Sequence, residues 1–263
     1  MTELIFLKLG GSLITDKLQP HTPRPTVLAR LIREIAAARA ARPDLALVLG
    51  HGSGSFGHAE GKIYRTREGV HTAEEWQGFA KVQAAAGLLN HVVMDAARAA
   101  GLPVVNFPPS ASAICRDGAL AVLAVAPIQN ALAHGLVPVV FGDVAMDETR
   151  GGTIVSTEDV FGFLAPRLEP GRLLLASVEP GVRTRWPDGE ILERVTPATP
   201  LRGIAGSHAA DVTGGMASKV QQMLALVKCM PELEVLIFSG VEPGRVQAAL
   251  EGGAVPGTRV VNG

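Results

Sequence analysis

Six short apolar runs set the rhythm of the chain: LIFLKL (4–9), LALVL (45–49), PVVNF (103–107), VPVVF (137–141), LLLAS (173–177) and VLIFS (235–239). Each is too continuous to be a strand with one wet face, so the pattern predicts strands buried on both sides. Between them the spacing turns helical. After Pro25, Leu28, Leu31, Ile32 and Ile35 recur at intervals of one helical face, and similar periodicity predicts helices near 73–100, 127–134, 157–165, 215–229 and 243–251. Strands alternating with helices predict an α/β fold with a largely parallel central sheet and helices on both faces. Two excursions interrupt the alternation. VAMDETRGGTIVS (144–156) reads as a hairpin with a Gly-Gly turn, and RTRWPDGEIL (183–192) as a second excursion turning at Asp188-Gly189.

Composition narrows the function classes. With 263 residues and 47% hydrophobic content the chain can bury a substantial core. Its 24 basic residues nearly cancel its 25 acidic ones, which argues against a nucleic-acid surface. Cys115 and Cys229 lie far apart in apolar surroundings, as expected of reduced core thiols. The first residues, MTELIFLKLGGS, lack a basic leader followed by a long apolar stretch, and no run approaches the length that spans a bilayer. A cytoplasmic protein is expected, neither secreted nor membrane-embedded.

In parallel α/β sheets ligands bind at the carboxyl ends of strands, and three segments place glycine directly there: LKLGGS, LVLGHGSGSFGH and VVFGD. Lysine is the minority cation, six against 18 arginines, yet Lys8, Lys17 and Lys219 all sit in or beside glycine-rich segments. An ammonium is a compact charge suited to a moving phosphate. KLGGSLITDK (8–17) is neither a P-loop nor a dinucleotide fingerprint, so its readings are a phosphate-binding turn or a plain strand-to-helix turn. DVTGGMASK (211–219) reads as a helix entrance that favours an anion, or as simple capping. Asp143 after VPVVFG is either a turn aspartate or a carboxylate that holds lysines or meets a metal-bound water.

GHGSGSFGH (50–58) admits several chemistries. A nucleophile elbow fails on register, and His51 and His58 are not spaced as a chelating pair, so no metal site is assigned. A cradle of backbone N–H groups with one histidine donating to an anionic substrate fits the glycines and the position after a strand.

Taken in order, KLGGSLITDK, GHGSGSFGH, VPVVFGDV and DVTGGMASK resemble the amino acid kinase superfamily and, within it, the isopentenyl phosphate kinases, with SFGH the discriminating piece. The resemblance covers nearly the whole chain. It implies an open αβα sandwich, residues 1–263 as one domain, with an acceptor half (about 1–168) and a nucleotide half (about 169–263) meeting at a seam near 166–172. It implies transfer of the γ-phosphoryl of ATP to isopentenyl phosphate, with Mg²⁺, usually in a homodimer. Carried onto this chain, Lys8, Gly10, Gly11 and Ser12 match the ATP phosphate turn, and Lys17 a second phosphate-contacting lysine. Gly54 meets nucleotide phosphates and, with Ser53 and His58, faces the acceptor, His58 holding its phosphate. Gly142 and Asp143 match the substrate loop, Gly215 and Lys219 the late nucleotide segment, and Glu179 to Gly181 the base-recognition stretch. Ser53 replaces the family's usual glycine, and SVEPGVRTRWPDG replaces an aspartate-containing pattern. The tract 76–101 offers Phe79, Val82, Val93 and Met94 for an apolar tail or for helix packing on the sheet; His91 there is expected to be structural or solvent-facing. Rival expectations are a kinase for another small phosphate or phosphonate, such as a fosfomycin-type resistance kinase, and a non-catalytic nucleotide-binding or storage protein of the same fold.

Overall fold

The computed structural model describes residues 3–201 and 215–263, and of His58 and Ala59 the backbone alone. Among the described residues the strands are β1 (Glu3–Leu9), β2 (Leu45–His51), β3 (Val104–Asn106), β4 (Ile114–Arg116), β5 (Ala119–Val122), β6 (Val137–Phe141), β7 (Asp143–Asp147), β8 (Gly151–Val155), β9 (Arg172–Ser177), β10 (Val182–Arg183), β11 (Ile191–Leu192), β12 (Arg194–Val195), β13 (Glu234–Ser239) and β14 (Gly257–Val260). The helices are α1 (Gly11–Ile14), α2 (Pro25–Ala41), α3 (Gly54–Tyr64), α4 (Ala73–Ala99), α5 (Ala126–Ala133), α6 (Thr157–Leu168), α7 (Gly215–Cys229) and α8 (Arg245–Glu251). None is long and apolar enough to cross a membrane.

The main sheet runs β12-β14-β13-β9-β1-β2-β6-β3. The six runs picked out by continuous hydrophobicity are its six mutually parallel strands; β14, antiparallel to β13, and β12 complete one edge. Period-two alternation then assigns the faces. Ile5, Leu7 and Leu9 of β1 pack with Leu28, Leu31 and Ile35 of α2, Leu89 of α4 and Leu250 of α8. Phe6 points the other way, its ring 5.0 Å from that of Phe161 on α6, in a core that includes Val220 and Met223 of α7. The result is the expected αβα sandwich. It also dictates that Lys8, two residues after Phe6, lies on the α6 and α7 side.

The excursion at 144–156 is a hairpin of β7 and β8, but Asp147 pairs with Gly151, so Glu148 to Arg150 make the turn and the two glycines open β8. Packing explains their place. Gly151 has φ +75°, and a Cβ there would stand 2.1 Å from the Val70 carbonyl oxygen. Strands β10 and β11 pair antiparallel around the second excursion, with Gly189 N–H donating to the Arg185 carbonyl. Of the cysteines only Cys115 is buried, its thiol pushed up to about 11 by burial; Cys229, at the last turn of α7, is exposed, contrary to the expectation of two core thiols. His91 is exposed on α4.

Candidate active site

The carboxyl ends of β1, β2, β6 and β9 carry the turns that build the site. Gly10 N–H donates to the Ala176 carbonyl of β9 and Gly52 N–H to the Leu9 carbonyl of β1, so each turn is anchored to the neighbouring strand. The turns then interlock. A Cβ on Gly11 would lie 2.5 Å from the Gly54 nitrogen, and one on Gly54, at φ +52°, would lie 2.3 Å from Thr15 Oγ1. Thr15 Oγ1 is the tie between them: it donates to the Gly11 carbonyl at 2.7 Å and accepts from Ser55 N–H at 3.0 Å.

Between these turns opens a cavity bordered by Lys8, Gly10, Gly11, Ser12 and Lys17 from the first segment, Gly52, Ser53 and Gly54 from the second, Gly142 after β6, and Lys219 on α7. Thr157 and Glu158 of α6 and Met216 of α7 complete it. Three helices, α3, α6 and α7, thus present their first turns to the cavity, where backbone dipoles favour negative charge.

The electrostatic centre is a residue that sequence reasoning overlooked. Lys8 Nζ donates to Glu158 Oε1 at 2.5 Å across 150 positions, both side chains nearly buried. Burial alone would push the Glu158 carboxyl up; Lys8, and Lys219 with it, outweigh that and hold it below the usual carboxylate value. Glu158 is therefore ionised, bonded to Lys8 and within the field of Lys219. The signal was present as STED (156–159), a capping pattern opening a helix: Ser156 accepts from Asp159 N–H, Asp159 answers to Ser156 N–H, and Glu158 is carried in the first turn.

Of its two expected parts, Asp143 has the surroundings of a turn aspartate. Its carboxylate is buried and accepts from Ser110 N–H at 3.0 Å and Val144 N–H at 2.8 Å, fastening the 109–111 turn to β7. It does not border the cavity; burial pushes its pKa up against those N–H bonds. Glu179 and Gly181 also lie off the cavity lining. Glu179 N–H donates to Ser177 Oγ, and a Cβ on Gly181 would meet Thr258 Oγ1 at 2.6 Å. Gly215 starts α7 in left-handed geometry. The segment 211–214 lies outside the described residues, as does the side chain of His58. The backbone of His58 belongs to α3, so SFGH forms the first turns of a helix, not the end of a loop.

His51 is fully buried, stacked on Phe141 at 5.3 Å. Burial pushes its imidazole down and keeps it neutral. Its Nδ1 lies 3.3 Å from the Gly52 carbonyl oxygen and its Nε2 3.1 Å from Asn90 Oδ1; both oxygens accept, so the one proton of the neutral ring serves one of the two. His51 thus braces the second glycine turn from beneath. Of the α4 residues, Phe79 and Val82 pack with Val70 and Val144 beside Ile154, which borders the cavity; Val93 and Met94 belong to the core on the α2 side of the sheet.

Comparison with known proteins decides the lineage. The amino acid kinase family matches residues 3–239. An isopentenyl phosphate kinase of Methanothermobacter thermautotrophicus is 34% identical, covering 98% of both chains. The chain belongs to the amino acid kinase family, among the isopentenyl phosphate kinases. A second such kinase, from Haloferax volcanii, is 37% identical over 85% of this chain and 88% of its own. An X-ray structure of an isopentenyl phosphate kinase superposes with a TM-score of 0.83 at 31% identity, covering 97% of this chain and 99% of that one. For a phosphate-transferring kinase, a cavity lined by lysines, glycine turns and helix starts is the apparatus required.

Proposed function

We propose that this chain transfers the γ-phosphoryl group of ATP to the phosphate of isopentenyl phosphate, giving isopentenyl diphosphate and ADP. The observation that carries the reading is the convergence of Lys8, Lys17 and Lys219 on one cavity between the glycine turns, with Glu158 holding Lys8. A phosphate monoester is already largely ionised near neutral pH, so its oxygen attacks phosphorus without a general base. The bond from γ-phosphorus to the bridging oxygen of ADP breaks as the new one forms. What obstructs the step is repulsion between two polyanions. The lysines offset it, Lys8 and Lys219 on the nucleotide side with Gly10, Gly11, Ser12 and Gly54 as close-approach backbone, and Lys17 beside the transferring group.

Ser53, His58 and Gly142 are proposed to seat the acceptor phosphate, with its five-carbon tail toward Ile154, Phe79 and Val82. Glu179 to Gly181 and Gly215 are proposed to flank the nucleotide, residues 1–168 serving the acceptor and 169–263 the nucleotide. Asp143 supports the acceptor loop through Ser110. The cavity's donors are ammonium and N–H groups, which suit phosphates; among the described residues no three acidic, histidine or cysteine side chains cluster as metal ligands. Mg²⁺ is proposed to enter as MgATP, where it would neutralise phosphate charge. A cytoplasmic homodimer is the proposed setting, and sedimentation in solution checks the assembly. ADP release with MgATP and a panel of isopentenyl phosphate, dimethylallyl phosphate, UMP, acetylglutamate and fosfomycin tests the reaction. Turnover concentrated in the isoprenoid phosphates supports it; preference for another acceptor, or none, overturns it.

A further inference from the structure

We infer that Asp159 and Gln222 are positioning residues that set the placement of Lys219. The inference rests on the proposed role of Lys219 at the transferring phosphates. Lys219 and Gln222 stand three residues apart on α7, on one face of the helix. Gln222 Nε2 donates to Asp159 Oδ1 at 2.6 Å. The other carboxylate oxygen, Oδ2, accepts from Ser156 N–H and Ser156 Oγ, both at 2.7 Å, and lies 3.9 Å from Arg67 Nη2. One carboxylate therefore caps α6, whose first turn carries Glu158, and grips α7 one turn beyond Lys219. It also touches the segment after α3. This matters because much of the described packing of α7 is apolar: Val220, Met223, Leu226 and Val227 pack on the sheet. Apolar packing holds a helix against a sheet but is non-directional, and so fixes its rotation and axial position weakly. A short bond to a capped carboxylate is directional, and it ties Lys219 to the turn that bears its counter-charge.

The test separates positioning from mere stability. Gln222→Met keeps the side-chain length and removes the donor. It is expected to lower kcat roughly tenfold to a hundredfold, the scale for displacing a group by about an ångström, with KM for isopentenyl phosphate little changed. Asp159→Asn combined with Gln222→Glu reverses donor and acceptor while leaving an oxygen on the Ser156 cap. It is expected to recover most of the kcat that Gln222→Glu alone loses. In a Lys219→Ala background Gln222→Met should add little further loss, because both act through one ammonium. Full kcat in Gln222→Met, no recovery in the swapped pair, or losses that multiply with Lys219→Ala would each overturn the inference. Full activity of Lys219→Ala would instead remove the reading on which it rests.

Discussion

Replacing Glu158 by glutamine removes one charge from a pair that the fold has sealed away. Lys8 and Glu158 meet at 2.5 Å with side-chain exposures of 8% and 4%. Without the carboxylate, the Lys8 ammonium stays buried, at the cavity it shares with Lys219, and loses the Glu158 charge. Breaking a buried pair from one side costs about 3–5 kcal/mol. For a chain of this length, at about 2 °C per kcal/mol, that corresponds to a fall in Tm of roughly 6 to 10 °C. MgATP should restore part of it, since its phosphates supply the missing negative charge; the nucleotide-induced rise in Tm should be larger in Glu158→Gln than in the native protein. Turnover should not recover equally, because Lys8 loses the partner that aims it, and a fall of about 10²-fold in kcat is expected. The pH dependence has a definite sign. The folded carboxyl is held below its ordinary 4.5, so the unfolded chain binds the proton first; the stabilisation is complete above pH 4.5 and fades as pH falls through the lower folded value. The Tm gap between native and variant should therefore narrow below pH 4.5. Scanning fluorimetry with and without MgATP, across pH, reads the three effects on Tm, and ADP release reads kcat. A variant that melts with the native protein at pH 7 and keeps its kcat would refute the reasoning.

Gly54→Ala should lose about 2 kcal/mol or more in urea unfolding, from left-handed backbone and from contact with Thr15 Oγ1, and should lose activity with it; unchanged stability would mean the turns do not interlock as described. His58→Ala should raise KM for isopentenyl phosphate while ATP still binds, checked by calorimetry with nucleotide alone; unchanged acceptor kinetics would exclude it as the acceptor ligand. Iodoacetamide at pH 8 should label one thiol of the native protein, Cys229, and two after denaturation, read by mass spectrometry; rapid native labelling of Cys115 would contradict its burial and its raised pKa of about 11.

Much of the fold was legible because its central strands are buried on both faces, and such strands announce themselves as unbroken apolar runs. The two-residue strands β10, β11 and β12 carry no such pattern, and β14, with Thr258 and Arg259 between glycine and valine, resembles any exposed edge. The glycine turns and lysines were legible from local spacing. The role of Glu158 was not, since its meaning comes from Lys8, 150 positions away, and STED alone reads as an ordinary cap. Asp143 stayed ambiguous for the complementary reason. An aspartate after a strand and a glycine looks like site chemistry, but sheet register turns its carboxylate toward Ser110 and buries it.

The central claim is that this cavity moves a phosphoryl group onto a phosphate. Phosphorus NMR of the protein incubated with MgATP and isopentenyl phosphate tests it most directly. The account predicts that the acceptor monophosphate resonance is replaced by the paired resonances of a diphosphate ester, one equivalent of ADP appearing for each, and that Lys8→Ala abolishes the exchange. Persistence of the monophosphate while nucleotide binds, or release of inorganic phosphate in place of the diphosphate, would contradict it.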